Sequence, residues 1–171
     1  MPILSFRLKM AMQPEIRRIR EEDNAAICAV IKSVFEEHGI NRPGTAYYDK
    51  TLDTLSEVFT LPNSAYFVAI WEDKVVGGAG IYPTEGLPAG TCELVKMYLL
   101  PHTRGKGLGK LLIENCMNFA RKAGYKQVYL ETMPELEKAV AIYQQLGFVL
   151  LPGPLGNSGH YSCPIHMLKA L

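Results

Sequence analysis

The sequence predicts a mixed α/β domain with the element order β-α-α-β-β-β-α-β-α-β-β, and three observations carry that prediction. Residues 65–71 and 75–82 are apolar runs rich in β-branched and aromatic side chains, joined by Glu72-Asp73-Lys74 in the manner of a hairpin. Residues 93–110, ELVKMYLLPHTRGKGLGK, pass from an apolar strand through Pro101 into a basic glycine-rich loop that opens an amphipathic helix. Beyond that loop, helical and strand periodicities alternate as they do in βα units.

The elements follow in order. Residues 1–13, interrupted by Arg7 and Lys9 and lacking a small-residue cleavage site, read as a frayed leader, and 14–171 as one domain. Ile16 and Ile19 alternate with basic residues in a weak first strand over 15–20. Asp23 is placed to cap a helix whose stripe is Ile27, Val30, Ile31, Val34 and Phe35, ending near His38-Gly39. A loop over 40–48 leads to a second helix carrying Leu52, Leu55, Val58 and Phe59. The hairpin comes next, with Gly77-Gly78 marking a bulge or a close backbone approach, then a turn over 84–90 and the strand 91–100. Leu108, Leu111, Leu112, Cys116, Phe119, Ala120 and Ala123 give the helix after the loop, stopped by Gly124. Residues 128–133 alternate as a strand. Pro134 opens a helix that Gly147 ends, residues 148–151 begin a strand, and the tail 160–168 reads as the last strand after the loop 152–159.

Composition narrows the function. The chain has 171 residues, 48% hydrophobic and 20% charged, and a formal net charge of +1, which suits a soluble globular protein and gives no overall attraction for nucleic acid. No apolar run is long enough to cross a bilayer, so a membrane partner is not expected. Cys28, Cys92, Cys116 and Cys163 form no C-x-x-C pair and sit mostly in apolar segments, which points to a reducing, cytoplasmic setting.

The loop at 104–110 has the makings of an anion site. Gly105, Gly107 and Gly109 leave the backbone open, the first amides of the helix have no intrahelical partner, and Arg104, Lys106 and Lys110 bring charge. It is not a P-loop, because Arg104 and Leu111 stand where that motif needs Gly and Ser or Thr. Nor is it a dinucleotide fingerprint, whose third Gly would fall on Lys110 or Leu112. With Arg104, Gly107 and Gly109 in place, it resembles the R/Q-x-x-G-x-G/A signature of the GNAT superfamily of N-acetyltransferases, and the likeness extends from residue 15 to the C-terminus.

That resemblance implies the acetyltransferase fold: a mixed, strongly twisted sheet flanked by helices, whose two central parallel strands splay to admit the pantetheine arm of acetyl-CoA. It implies a pyrophosphate held by Arg104, Gly105, Lys106, Gly107, Leu108, Gly109 and Lys110, and a pantetheine gripped by the amides of Met97, Tyr98 and Leu99. The reaction implied is direct transfer of acetyl from acetyl-CoA to a primary amine, on a small molecule or a protein. The alternative is a silent acyl-CoA-binding sensor. A homodimer is compatible with either.

Transfer to an amine needs a group to take a proton and a group to attend the leaving thiolate. Glu93, eleven residues before Arg104, matches the catalytic glutamate of histone-type members, and burial in an apolar strand would raise its pKa toward neutrality. It acts directly or through a water, with His160 or solvent as the other source of base, and a strand-end glutamate facing water is the plain alternative. Tyr143, in YQQLGF, matches the family tyrosine that protonates the thiolate, and its plain alternative is a core aromatic. The position seven before it, an Asn touching the cofactor in many members, is Leu136, so that contact is not carried over. His160, Cys163 and His166 have an H-x-x-C-x-x-H spacing, but on a strand they alternate sides, and no metal is expected. The run PLGNSGH with Cys163 resembles the tail of a bacterial GNAT subgroup with a G-H-x-x-C tail, which makes His160 and Cys163 substrate-side candidates. Cys163 as an acyl-carrying nucleophile lacks an evident base.

Overall fold

The predicted order of elements is the observed one. The computed structural model describes residues 13–171, so all of the expected leader but Gln13 lies outside the described residues. The strands are β1 Glu15–Arg18, β2 Ala65–Trp71, β3 Lys74–Tyr82, β4 Thr91–Leu99, β5 Gln127–Thr132, β6 Val149–Leu150 and β7 Ile165–Ala170. The helices are α1 Asn24–Glu37, α2 Leu55–Val58, α3 Leu108–Lys122 and α4 Glu137–Gln145. The strands form one sheet in the order β1-β2-β3-β4-β5-β7-β6, antiparallel at each junction except β4 with β5.

Local chemistry moved several boundaries. Asp23 stands at the N-cap of α1 as expected but makes no side-chain capping bond to it; its carboxylate accepts from the Arg20 amide at 2.8 Å and pairs with both terminal Arg17 nitrogens at 2.7 and 2.9 Å, closing a 3₁₀ turn ahead of the helix. The second helix is a single α turn after the 3₁₀ turn Leu52–Thr54. Leu111 is 37% exposed, and Ile113 and Met117 take inner positions on α3 instead. The last strand starts at Ile165, not His160. Pro164 has no ladder N–H, and the Cys163 amide turns back to the His160 carbonyl at 3.1 Å. His160 and Cys163 therefore lie in a loop, and only His166 is on the strand.

The sheet separates two apolar layers. α3 and α4 cover one face, where Leu108, Leu112, Cys116 and Ala120 pack on Cys92, Leu94, Val128 and Leu130. α1 and α2 cover part of the other, with Ile27, Ile31, Phe35 and Leu55 around Tyr66 and Val68. Gly77 and Gly78 lie where the backbones come close: a Cβ at Gly78 would meet the Tyr66 ring at 2.5 Å. That ring reaches across β3 to donate from its hydroxyl to the Lys96 carbonyl at 2.8 Å.

Two irregularities of β4 shape the molecule's function. Gly78 pairs with Tyr98 and Gly80 with Val95, so Lys96 and Met97 together oppose Ala79 in a β-bulge, with Lys96 at φ 50°. The bulge reverses the alternation of the strand. Cys92 and Leu94 face α3 before it, and Met97 and Leu99 face α3 after it. The second irregularity is that β4 and β5 pair only at Thr91, Cys92 and Glu93 with Gln127, Val128 and Tyr129. Beyond Glu93 the two parallel strands part.

Candidate active site

The glycine-rich loop leads into α3 at the end of β4. Gly105 and Gly107 have φ of 74° and 82°, and a Cβ on either would point into open space. Gly107 is the residue before the first helical turn, and the Leu111 amide reaches back to its carbonyl at 3.1 Å. The amides of Leu108, Gly109 and Lys110 are thus the first-turn donors left without an intrahelical acceptor, at the positive end of a helix 15 residues long. The cations are deployed differently from the sequence expectation. Arg104 makes a bidentate pair with Glu37 of α1, both bonds 2.8 Å, and its Nε donates to the Leu99 carbonyl at 3.1 Å. It fastens the loop to α1 and β4, with the backbone amides, Lys106 and Lys110 around it. Lys106 Nζ lies 5.8 Å from the Trp71 ring centre and Lys110 Nζ 3.8 Å from Glu114.

The parted strands leave a narrow slot. It is lined from the α3 and α4 side by Leu94, Leu130, Ala139 and Tyr143, and from the other by Lys96, Tyr98, Glu131 and Cys163, so it runs between β4 and β5 through the sheet. Leu100 donates its amide to the Val76 carbonyl at 2.9 Å, which sets the parity of the preceding residues. Tyr98 shares that orientation and bonds to β3, whereas the Leu99 amide and carbonyl face the free edge. Of the expected trio, Met97 and Tyr98 line the slot, Tyr98 with its backbone bonded to β3, while Leu99 lies beyond it with its amide turned away from β3 and its carbonyl taken by Arg104. The Tyr98 ring packs on Phe35 with ring centres 5.1 Å apart. Tyr143, 6% exposed, reaches the slot from α4 while its ring packs edge-on against Phe148. Burial pushes its pKa up, so the phenol keeps its proton at neutral pH.

On the face away from α3, polar side chains gather around the point where the strands part. Glu93 is only 3% exposed and accepts a hydrogen bond from the Thr84 hydroxyl. Burial pushes its pKa up to about 7; the Thr84 bond opposes this, the Glu131 charge adds to it, and His160 and Lys96 oppose it. Glu131 Oε2 accepts from the Tyr129 hydroxyl at 3.0 Å and lies 3.5 Å from His166 Nε2. The Tyr129 hydroxyl in turn accepts the Leu155 amide at 3.1 Å, pinning the loop before β7 over the sheet. Asp49 holds both His160 Nε2 at 2.9 Å and Lys96 Nζ at 2.8 Å. Burial raises the Asp49 pKa, but its hydrogen bond to His160 and the Lys96 charge bring it below the ordinary value.

A strand opening beyond one buried glutamate, beside a helix N-terminus rich in free amides, is an arrangement for a thioester and an amine. The Acetyltransferase (GNAT) family profile matches residues 24–148. The chain belongs to the GNAT acetyltransferase family. Its relatives include an uncharacterized N-acetyltransferase, YjgM, of Escherichia coli (strain K12), 44% identical over 159 residues that cover 92% of this chain and 95% of that protein. Human N-acetyltransferase 8 is 32% identical over 114 residues, 63% of this chain and 50% of that protein, so the match spans about half its length. Among solved structures, a GNAT-family acetyltransferase of Staphylococcus aureus Mu50 superposes with a TM-score of 0.81 at 18% identity, covering 93% of this chain and 99% of that one. The PaiA N-acetyltransferase of Thermoplasma acidophilum, solved in complex with coenzyme A, superposes with a TM-score of 0.73 at 18% identity, covering 94% and 100%. At that identity the two structures speak for the fold. This GNAT protein is an acetyl-CoA-dependent N-acetyltransferase.

Of the residues expected from the sequence, the GNAT fold brings Met97, Tyr98, Tyr143 and Cys163 to the slot, with Glu93 at the last β4–β5 pair before it and His160 held on Asp49. Cys163 is not suited to carry an acyl group: burial pushes its thiol up to about 12, the Glu131 and Glu93 charges assist, and it stays protonated. Among the described residues no group of three or more His, Cys, Asp or Glu is placed to hold a metal ion. Sequence reasoning missed Glu131, Lys96, Thr84, Tyr129 and Asp49. Glu131 carried the same signal as Glu93, a lone carboxylate in an apolar strand. Lys96 and Asp49 carried none, since one sits at an unforeseeable bulge and the other ends a loop.

Proposed function

We propose that the protein transfers acetyl from acetyl-CoA to a primary amine, on a small molecule or a protein, by direct attack in a ternary complex. The observation that carries this reading is Glu93: a buried carboxylate with a pKa of about 7, at the last paired position before β4 and β5 part. A base poised near the working pH both takes and returns protons readily.

The amides of Leu108, Gly109 and Lys110, with Lys106, would hold the pyrophosphate of coenzyme A, for which the open surface above Gly105 and Gly107 leaves room. Bound there, acetyl-CoA supplies an activated thioester. The Leu99 amide, turned away from β3, would grip the pantetheine arm. Glu93 removes a proton from the acceptor ammonium, so that the amine nitrogen acquires its lone pair inside a site closed to bulk water. Tyr143 stands as a donor toward the leaving sulfur. Because its pKa is raised, the phenol acts mainly by hydrogen bonding, without giving up its proton outright. Overall a C–N bond replaces the C–S bond; of the two protons the ammonium sheds, one balances the thiol and one leaves to solvent. The four free thiols support a cytoplasmic setting.

The test is free-thiol release from acetyl-CoA across a panel of primary amines, with acetyl-CoA binding followed by calorimetry. Thiol release that depends on an amine supports the reading. Tight acetyl-CoA binding with no release for any amine would replace it with the silent sensor.

A further inference from the structure

Glu131 stands out among the buried polar groups. Its side chain is 6% exposed, and while Oε2 has Tyr129 and His166, Oε1 is the one buried side-chain nitrogen or oxygen without a hydrogen-bond partner among the described residues. An unpartnered carboxylate oxygen out of water is costly, and native structures fill such positions. The surrounding cations do not fill this one. Lys96 Nζ and His160 Nε2 are both committed to Asp49, at 2.8 and 2.9 Å, and His166 approaches Oε2. Glu131 also lines the slot between β4 and β5, with Lys96, Tyr98 and Cys163, and Glu93 senses its charge.

We propose that Glu131 is the residue that binds the acceptor's ammonium: Oε1 accepts one of its N–H donors and holds the nitrogen at the slot within reach of Glu93. This rests on the N-acetyltransferase reading and deepens it by naming what selects the acceptor. A primary ammonium offers three donors, enough to satisfy Glu131 Oε1, give a proton to Glu93 and keep one more bond. Tertiary amines, with one N–H when protonated, and neutral alcohols of the same shape cannot do this. Glu131 and Glu93 divide the work, since one binds the charged acceptor and the other takes its proton.

The experiment titrates n-butylammonium and n-butanol into the protein, with and without coenzyme A, for the wild type, Glu131→Gln and Glu131→Asp. Thermal melts accompany each variant to confirm folding. The wild type is expected to prefer the ammonium over the alcohol, and Glu131→Gln to lose affinity roughly 10–100-fold, the worth of a charged hydrogen bond. Glu131→Asp keeps the charge and should retain more affinity than Glu131→Gln. With any amine that turns over, Glu131→Gln should raise KM by a similar factor while kcat stays within a few-fold, a split that a merely structural residue would not produce. Equal binding of ammonium and alcohol, no ammonium binding, or an unchanged Glu131→Gln affinity would overturn the proposal. Because the titration needs no turnover, it decides Glu131 even if no amine is acetylated, the outcome that would instead sink the transferase reading.

Discussion

The two faces of the sheet are built by different rules. On the α3 face, the strand, the loop and the helix that serve the cofactor are consecutive in sequence, and the chemistry is mostly backbone: first-turn amides of α3 and the free Leu99 amide. On the opposite face, Thr84, Glu93, Lys96, Tyr129, Glu131 and His166 come from a turn and three strands, and Asp49 and His160 from two distant loops. The first face can accept the same cofactor with many sequences, because any residue but proline supplies an N–H. The second depends on side chains one by one, and is the face on which the acceptor is proposed to bind.

Glu93→Gln should sharpen the comparison most. It should lower kcat/KM roughly 10²–10⁴-fold and remove the acidic limb near pH 7, with acetyl-CoA affinity nearly unchanged. The same variant tests the linkage. A carboxyl whose folded pKa is raised above its unfolded value of 4.5 favours folding while protonated, and that contribution is lost as pH climbs from 4.5 through about 7. Glu93→Gln should therefore gain on the wild type in denaturant stability, by up to about 3 kcal/mol above pH 7, and the gap should close below pH 4.5. A wild-type rate and pH profile would make Glu93 structural.

Tyr143→Phe comes next, with turnover falling roughly 10–100-fold if its hydroxyl bonds the departing thiolate, and coenzyme A affinity kept because the ring still packs on Phe148. A stability loss without a kinetic change would assign Tyr143 to the core alone. On the cofactor face, Gly107→Val should weaken coenzyme A binding in calorimetry. It should also cost about 1–2 kcal/mol of stability, since φ of 82° is strained for any β-branched side chain. Unchanged affinity there would remove the loop from the binding site. Arg104→Ala should have the smallest effect: its pair with Glu37 is about one-third exposed and salt-screened, worth under about 1 kcal/mol by denaturation. A large, pyrophosphate-specific affinity loss would show that the arginine leaves Glu37 for the ligand.

The same contrast explains what could be read from the sequence. The order of strands and helices was legible because periodicity and punctuation by Gly and Pro are local, as at Pro101, Gly124 and Gly147. Glu93 and Tyr143 were singled out by spacing to the loop and to Gly147-Phe148, and the fold sets Glu93 at the last β4–β5 pair and Tyr143 beside the slot. The acceptor side was not. Nothing in residues 91–99 announces a bulge at Lys96, whose left-handed backbone turns over the faces of Met97 through Leu99. The pairing of Asp49 with Lys96 and His160 joins positions far apart in the chain, which no short-range pattern encodes. Placing His160 and Cys163 on a strand failed because Pro164, read only as part of the tail, delays the ladder to Ile165.

Trp71, the single tryptophan of the chain, ends β2 with the ammonium of Lys106 above its ring. The protein therefore carries one indole fluorophore, and it is placed beside the cofactor loop. An anion that draws Lys106 away would change the field across that ring, so a shift in emission on adding coenzyme A is the expected sign of loop occupancy, with no competing indole signal.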